Sequence, residues 1–171
     1  MEEPIFDREP HSSVLVSFKD CDAFGLLYNV RYLDYILDAR AEHLLKFYEF
    51  DFNRELQKSK ETWVIHGHQI AYVEPARVHE AVTIRTRILG FTSNLVHLEG
   101  MMLNRDNTRL KALQWSKLSY ISLTRGNVLS HPDNIVSFLS RIQAKDDIPS
   151  PLDFEARINQ LRARFQATKE K

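Results

Sequence analysis

One long apolar helical pattern constrains this chain more than any other feature. From about Tyr28 to Phe47, the residues Leu33, Ile36, Leu37, Leu44 and Phe47 recur at spacings of three and four. Tyr32, Tyr35 and Ala39 widen that face, so much of the helix requires burial. Glu42 and Lys46 make a favourable i,i+4 pair on the wet side. Before the helix, Val14-Leu15-Val16-Ser17-Phe18 reads as a short strand with Val14, Val16 and Phe18 on one face. After it, residues 62–74, 78–89, 94–104 and 110–123 read as four more strands. Gly90, Ser93-Asn94 and Asn104-Arg105-Asp106-Asn107 supply turns suited to antiparallel hairpins. One helix cannot cover both faces of five strands. The order therefore predicts an α+β fold, with an antiparallel five-stranded sheet wrapped around one long helix.

Two further helices follow. Ser130 is placed to cap one over about 132–143, and Pro149-Ser150-Pro151 breaks the chain before another from about Leu152 to Ala167. Phe154, Ile158, Leu161 and Phe165 give that last helix a narrow apolar stripe, expected to dock on the body or on a partner subunit. The chain divides into an N-terminal arm over 1–12, one domain over 13–125, and a C-terminal helical extension over 126–171 packed on the same domain.

Charge and cysteine content narrow the function. Lys+Arg 23 against Asp+Glu 23 leaves no basic excess for nucleic acid. Cys21 is the sole cysteine, so no intrachain disulfide forms, which fits a reducing cytoplasm. The acidic start Met1-Glu2-Glu3-Pro4 does not read as a signal peptide, and no apolar run approaches a membrane span. Phosphate-binding glycine loops and a Gly-x-Ser-x-Gly elbow are absent.

Chemistry concentrates just before the long helix, in Asp20-Cys21-Asp22-Ala23-Phe24-Gly25-Leu26-Leu27-Tyr28-Asn29. Two acids and a glycine there put a carboxylate beside a helix N-terminus, whose N–H groups are unpaired and partly positive. Acyl-transfer chemistry can use that arrangement. This stretch, with Tyr32 and Tyr35, resembles the signature of the 4-hydroxybenzoyl-CoA thioesterase family, which has the hotdog fold. Ala39-Arg40 in mid-helix and Tyr72-Val73-Glu74-Pro75-Ala76-Arg77 after the next strand extend the likeness over about residues 12–125.

The resemblance implies a hotdog-fold hydrolase of acyl-CoA or acyl-carrier-protein thioesters, needing no metal or other cofactor. It implies sites at the interface of a homodimer or dimer of dimers. It makes Asp22 the catalytic carboxylate, as nucleophile or general base, and the backbone amide of Asn29 the oxyanion donor. Asp20 is expected to order the turn or pair with a cation. Gly25 either bends the chain or lets substrate approach, and Tyr28 and Tyr32 are candidates to line an acyl or aryl pocket. A non-catalytic acyl-binding or assembly module and a hotdog hydratase are the rival readings.

Three other signals carry less. Acidic neighbours suppress the Cys21 thiolate. His66-Gly67-His68 puts two imidazoles two apart on a strand, hence on one face, but no local ligand completes a metal site. Arg77, Arg85, Arg87, Arg162, Arg164 and Lys169 are candidates for CoA phosphates, though each suits a solvated face.

Overall fold

The computed structural model describes residues 6–145 and 152–167. The sheet contains β1 (His11–Leu15), β2 (Glu61–Tyr72), β3 (Ala81–Phe91), β4 (Leu95–Asn104) and β5 (Leu110–Ser122). Its strand order is β1-β3-β4-β5-β2, with every neighbour antiparallel. The long helix α1 (Asn29–Tyr48) crosses the inner face, so the expected α+β architecture is observed. β1 lies earlier than expected, and Phe18 falls in a 3-10 turn over Phe18–Asp20 with its ring exposed.

The inner core joins Ile36 and Ala39 of α1 to Val82, Ile84, Met102 and Ala112 of the sheet. Gly100 permits this approach, since a Cβ there would overlap the Ile36 side chain. The buried face of α1 is rotated from the expected stripe. Arg40 and His43 are buried, Leu33 and Leu37 are half-buried, and Phe47 is exposed. His43 is accommodated by hydroxyl partners, Thr86 at 2.8 Å and Ser12 at 3.0 Å. Glu42 and Lys46 do pair on the exposed side.

α2 (Phe52–Ser59) is an element that the sequence pattern does not signal. It buries no residue and is started by the Asp51 side chain, which accepts the N–H groups of Asn53 and Arg54. α3 (Asp133–Ile142) forms where expected, but its N-cap is Pro132 and Ser130 makes no cap. α2, α3 and the end of α1 close a third apolar cluster that includes Leu44, Tyr48, Trp63 and Phe138.

α4 (Phe154–Ala167) covers the outer face of the sheet. Phe154, Ile158 and Leu161 pack on Leu89, Met101, Leu103, Leu113 and Trp115. Within that layer Glu99 is fully buried. It accepts hydrogen bonds from Arg87 Nε at 2.8 Å, Trp115 Nε1 at 2.8 Å and Arg157 Nε at 3.0 Å. Arg87 is therefore an internal ion-pair partner, not a solvated cation.

Candidate active site

The segment between the 3-10 turn and α1 folds back on itself. The Asp22 N–H donates to Leu26 O at 2.8 Å, and the Gly25 N–H donates to Asp22 O at 3.0 Å. Gly25 has φ +73°, a left-handed conformation that a side chain would strain, so the bend explains this glycine. The Asp22 Oδ1 atom accepts the N–H groups of Phe24 and Leu26, each at 2.9 Å. Its Oδ2 atom accepts no hydrogen bond among the described residues. One oxygen is thereby fixed by backbone and the other left open, on a half-buried side chain.

α1 begins immediately beyond this bend. Its N-cap, Tyr28, makes no side-chain cap bond; the Tyr28 carbonyl accepts the Arg31 N–H at 2.9 Å, while the N–H groups of Asn29 and Val30 have no acceptor among the described residues. The Tyr28 N–H is used elsewhere, donating to Asp20 O at 3.0 Å. Asp22, Tyr28, Asn29 and Tyr32 line one cleft of about 550 Å3, together with Tyr72 and Glu74.

The two sequence patches meet here. Leu27 N–H donates to Ala76 O at 3.0 Å, Val78 N–H to Gly25 O at 2.9 Å, and Ala76 N–H to the Tyr32 hydroxyl at 2.8 Å. The Tyr72 hydroxyl donates to Asn29 O at 2.9 Å, and its ring meets Tyr32 edge-on at 5.3 Å. Tyr72 thus has a place at the site that its position in the second patch did not reveal. Lys111, itself buried, holds that patch from below by donating to Pro75 O and pairing with Glu80 at 2.8 Å.

The tyrosines divide. Tyr28 is half exposed at the cleft mouth, whereas Tyr32 is 2% exposed and serves mainly as packing and as acceptor for Ala76. Burial, ahead of neighbouring charges, raises the Tyr32 phenol above its ordinary pKa. Asp20 is buried, accepts the Tyr35 hydroxyl at 2.9 Å, and lies 3.5 Å from Arg31, so it orders the turn as expected. Burial first, then Asp20 and Asp22, raises the Cys21 thiol, which opposes thiolate chemistry.

A second cleft, about 700 Å3, lies between β1 and α1. Asp20, Asp34, Asp38 and Glu42 outnumber Lys19 and Arg31 along it. That balance opposes an anionic thioester carrier. His66 and His68 do not share a face. The register shifts between Ile65 and Gly67, sending His66 to Ser119 at 2.8 Å and His68 to Ser116 at 2.9 Å. Those serines are three apart on one strand and face opposite ways. Among the described residues no group of three or more His, Cys, Asp or Glu could hold a metal. Arg77 is exposed beside the site segment, bridging to Leu26, while Lys169 lies outside the described residues.

Comparison with known proteins gives the family and the fold. Residues 16–146 match the model of the thioesterase-like superfamily. The chain belongs to that family. It is 30% identical over 98 residues to the acyl-CoA thioester hydrolase YbgC of Escherichia coli O6:H1, a match covering 53% of this chain and 72% of the relative. Slr0204, a 1,4-dihydroxy-2-naphthoyl-CoA thioesterase from Synechocystis, superimposes with a TM-score of 0.70 at 13% identity, over 77% of this chain and 96% of that one. SAV2348 from Staphylococcus aureus, solved in complex with CoA, gives a TM-score of 0.72 at 12% identity, over 87% and 94%. These two likenesses establish the shared fold. Among the described residues no helix is long and apolar enough to cross a membrane.

Proposed function

We propose that this chain hydrolyses acyl-CoA thioesters at the cleft beside Asp22. One observation carries the reading. Asp22 keeps one carboxylate oxygen on two backbone N–H groups and leaves the other open, in a cleft shared with the uncapped start of α1. The open oxygen attacks the thioester carbonyl or takes a proton from an attacking water. Negative charge then developing on the thioester oxygen is met by the Asn29 amide and the partial positive charge of the helix end. On the first route the thiolate departs and leaves a mixed anhydride on Asp22, which water then hydrolyses to the free acid and the carboxylate; on the second, water supplies the hydroxyl of the acid and the proton taken by Asp22 passes to the departing thiolate. The name of the YbgC relative supports acyl-CoA as the substrate class.

The site is proposed to act in a dimer. β2 is an edge strand of twelve residues, a length that invites pairing into a continuous sheet. Phe24, Tyr28 and Val30 leave apolar side chains in solvent around the same site. A panel of acyl-CoAs with free-thiol detection tests the activity. Thiol release supports the reading; hydration without thiol release points to a hydratase, and binding without reaction to a non-catalytic module. Sedimentation at micromolar concentration is expected to show no 20.0 kDa species. A stable, active monomer would remove the interface from the account.

A further inference from the structure

The segment 73–80, between the end of β2 at Tyr72 and the start of β3 at Ala81, belongs to no strand or helix. One buried lysine fastens it. Lys111 Nζ donates to Pro75 O at 2.9 Å and lies 2.8 Å from Glu80 Oε1. The other Glu80 oxygen accepts the Arg77 N–H at 2.9 Å. The Lys111 carbonyl accepts the N–H groups of Val73 and Glu74, at 2.8 and 3.2 Å. Within the segment His79 has φ +60°, a left-handed backbone that persists only where its surroundings impose it. An apolar pair at 111 and 80 would avoid the cost of burying charge. It would offer no donor to Pro75 O and no acceptor to the Arg77 N–H, so the ion pair fixes backbone position rather than adding stability.

This segment in turn holds the bend that carries Asp22. Leu27 N–H donates to Ala76 O at 3.0 Å, and Val78 N–H donates to Gly25 O at 2.9 Å. Gly25 and Leu27 flank Leu26, whose N–H is one of the two on Asp22 Oδ1. A path therefore runs from Lys111 through Pro75, Ala76, Leu27 and Leu26 to the carboxylate. Every hydrogen bond along it is 3.0 Å or shorter, and every covalent link joins adjacent residues. Lys111 does not itself line the Asp22 cleft.

We propose that Lys111 is a positioning residue for the reaction at Asp22. With Glu80 it locks the segment 73–80, and through that segment it holds the Asp22 carboxylate beside the start of α1. The effect on turnover rests on the thioesterase reading; the coupling of Lys111 to the Asp22 bend does not. Without the lock the cleft still admits substrate, but the open carboxylate oxygen loses its alignment, so turnover falls while binding is kept.

Lys111→Met keeps chain length and removes the charge and the donors. Amide hydrogen exchange and acyl-CoA kinetics of the full-length variant test the proposal together. The amides of Phe24, Leu26, Leu27 and Val78 are expected to exchange about tenfold faster or more, while those paired between β3 and β4 keep their protection. The value of kcat is expected to fall about tenfold to a hundredfold, with KM within about twofold of wild type. Should Lys111→Met fail to fold, Glu80→Gln removes the charge facing Lys111 and is expected to show the same changes to a smaller degree. Unchanged exchange over residues 24–27 in the folded variant, equal acceleration across β3 and β4, or a raised KM with kcat kept would overturn the proposal. A wild type that releases thiol from no acyl-CoA would instead fail the thioesterase reading, and the exchange rates would still decide whether Lys111 holds the Asp22 bend.

Discussion

Two carboxylates in this protein are treated in opposite ways. Glu99 is sealed between the sheet and α4, and both its oxygens are occupied by Arg87, Arg157 and Trp115. Burial pushes its pKa up, but the Arg157 hydrogen bonds, the two guanidinium charges and Trp115 together win, leaving it below the usual carboxylate range. Asp22 is half-buried at a cleft and keeps an open oxygen. Full satisfaction fixes a helix in place; partial satisfaction leaves the open oxygen that the proposed reaction uses. The same residue chemistry is thus divided, by the number of donors around it, between holding and the catalytic role proposed for Asp22.

Substitutions sharpen that contrast. Glu99→Gln leaves two buried guanidiniums facing a neutral amide, and breaking such a cluster costs about 3–5 kcal/mol. Chemical denaturation is expected to show that loss, with turnover retained wherever the variant is folded. At the site, Asn29→Pro removes the proposed oxyanion donor and is expected to cost about 2.7–4 kcal/mol in the transition state, or about 10²–10³ in rate. The fold can accept it, because residue 29 opens α1 and Tyr28 already has φ −57° and ψ 138°, the extended backbone that proline requires before it. Asn29→Ala keeps the N–H and is expected to lose little. Equal losses in both variants, with circular dichroism unchanged, would transfer the role to the Asn29 side chain.

His43 is a third case, a buried titratable group held by hydroxyls. Burial, then the Arg40 charge, pushes it from 6.5 down to about 4. Below pH 6.5 the unfolded chain binds a proton that the folded chain refuses. The contribution of neutral His43 is therefore complete above about pH 6.5 and is lost as pH falls toward about 4. The loss is on the order of 3 kcal/mol at 1.36 kcal/mol per unit. Burial lowers His68, His97 and His131 as well, so the measurement is the difference between wild type and His43→Gln. That variant is expected to have a flatter stability profile between pH 6.5 and 4. The smallest effect belongs to Ser130→Ala. Ser130 is exposed and caps nothing, so its unfolding free energy is expected to stay within about 0.5 kcal/mol of wild type.

Much of this arrangement is legible in the sequence because its signals are long and local. The twenty-residue helix, the four longer strands and the stripe of α4 each repeat over enough residues to set a period. The bend at Gly25 and the approach of a carboxylate to a helix start are also local. What escaped depends on distant partners or single backbone events. Arg87 resembles a solvated strand residue until α4 arrives from the other end of the chain. Arg40 and His43 look like the wet side of α1 because the groups that receive them lie elsewhere. A one-residue bulge sends His66 away from His68, and α2 rests on the Asp51 cap without a buried face to reveal it. Tyr32 lines the Asp22 cleft, as its spacing suggests, but the bond by which its hydroxyl holds the Ala76 N–H is not visible from the spacing.

Asp22→Asn tests the central claim most directly. It keeps the size of the side chain and an oxygen able to accept the Phe24 and Leu26 N–H groups, while removing charge and basicity. Turnover on an acyl-CoA that the wild type hydrolyses is expected to fall about 10²–10⁴-fold, with the melting temperature nearly unchanged. Near-normal turnover by a folded Asp22→Asn protein would contradict the account and place the chemistry on another group.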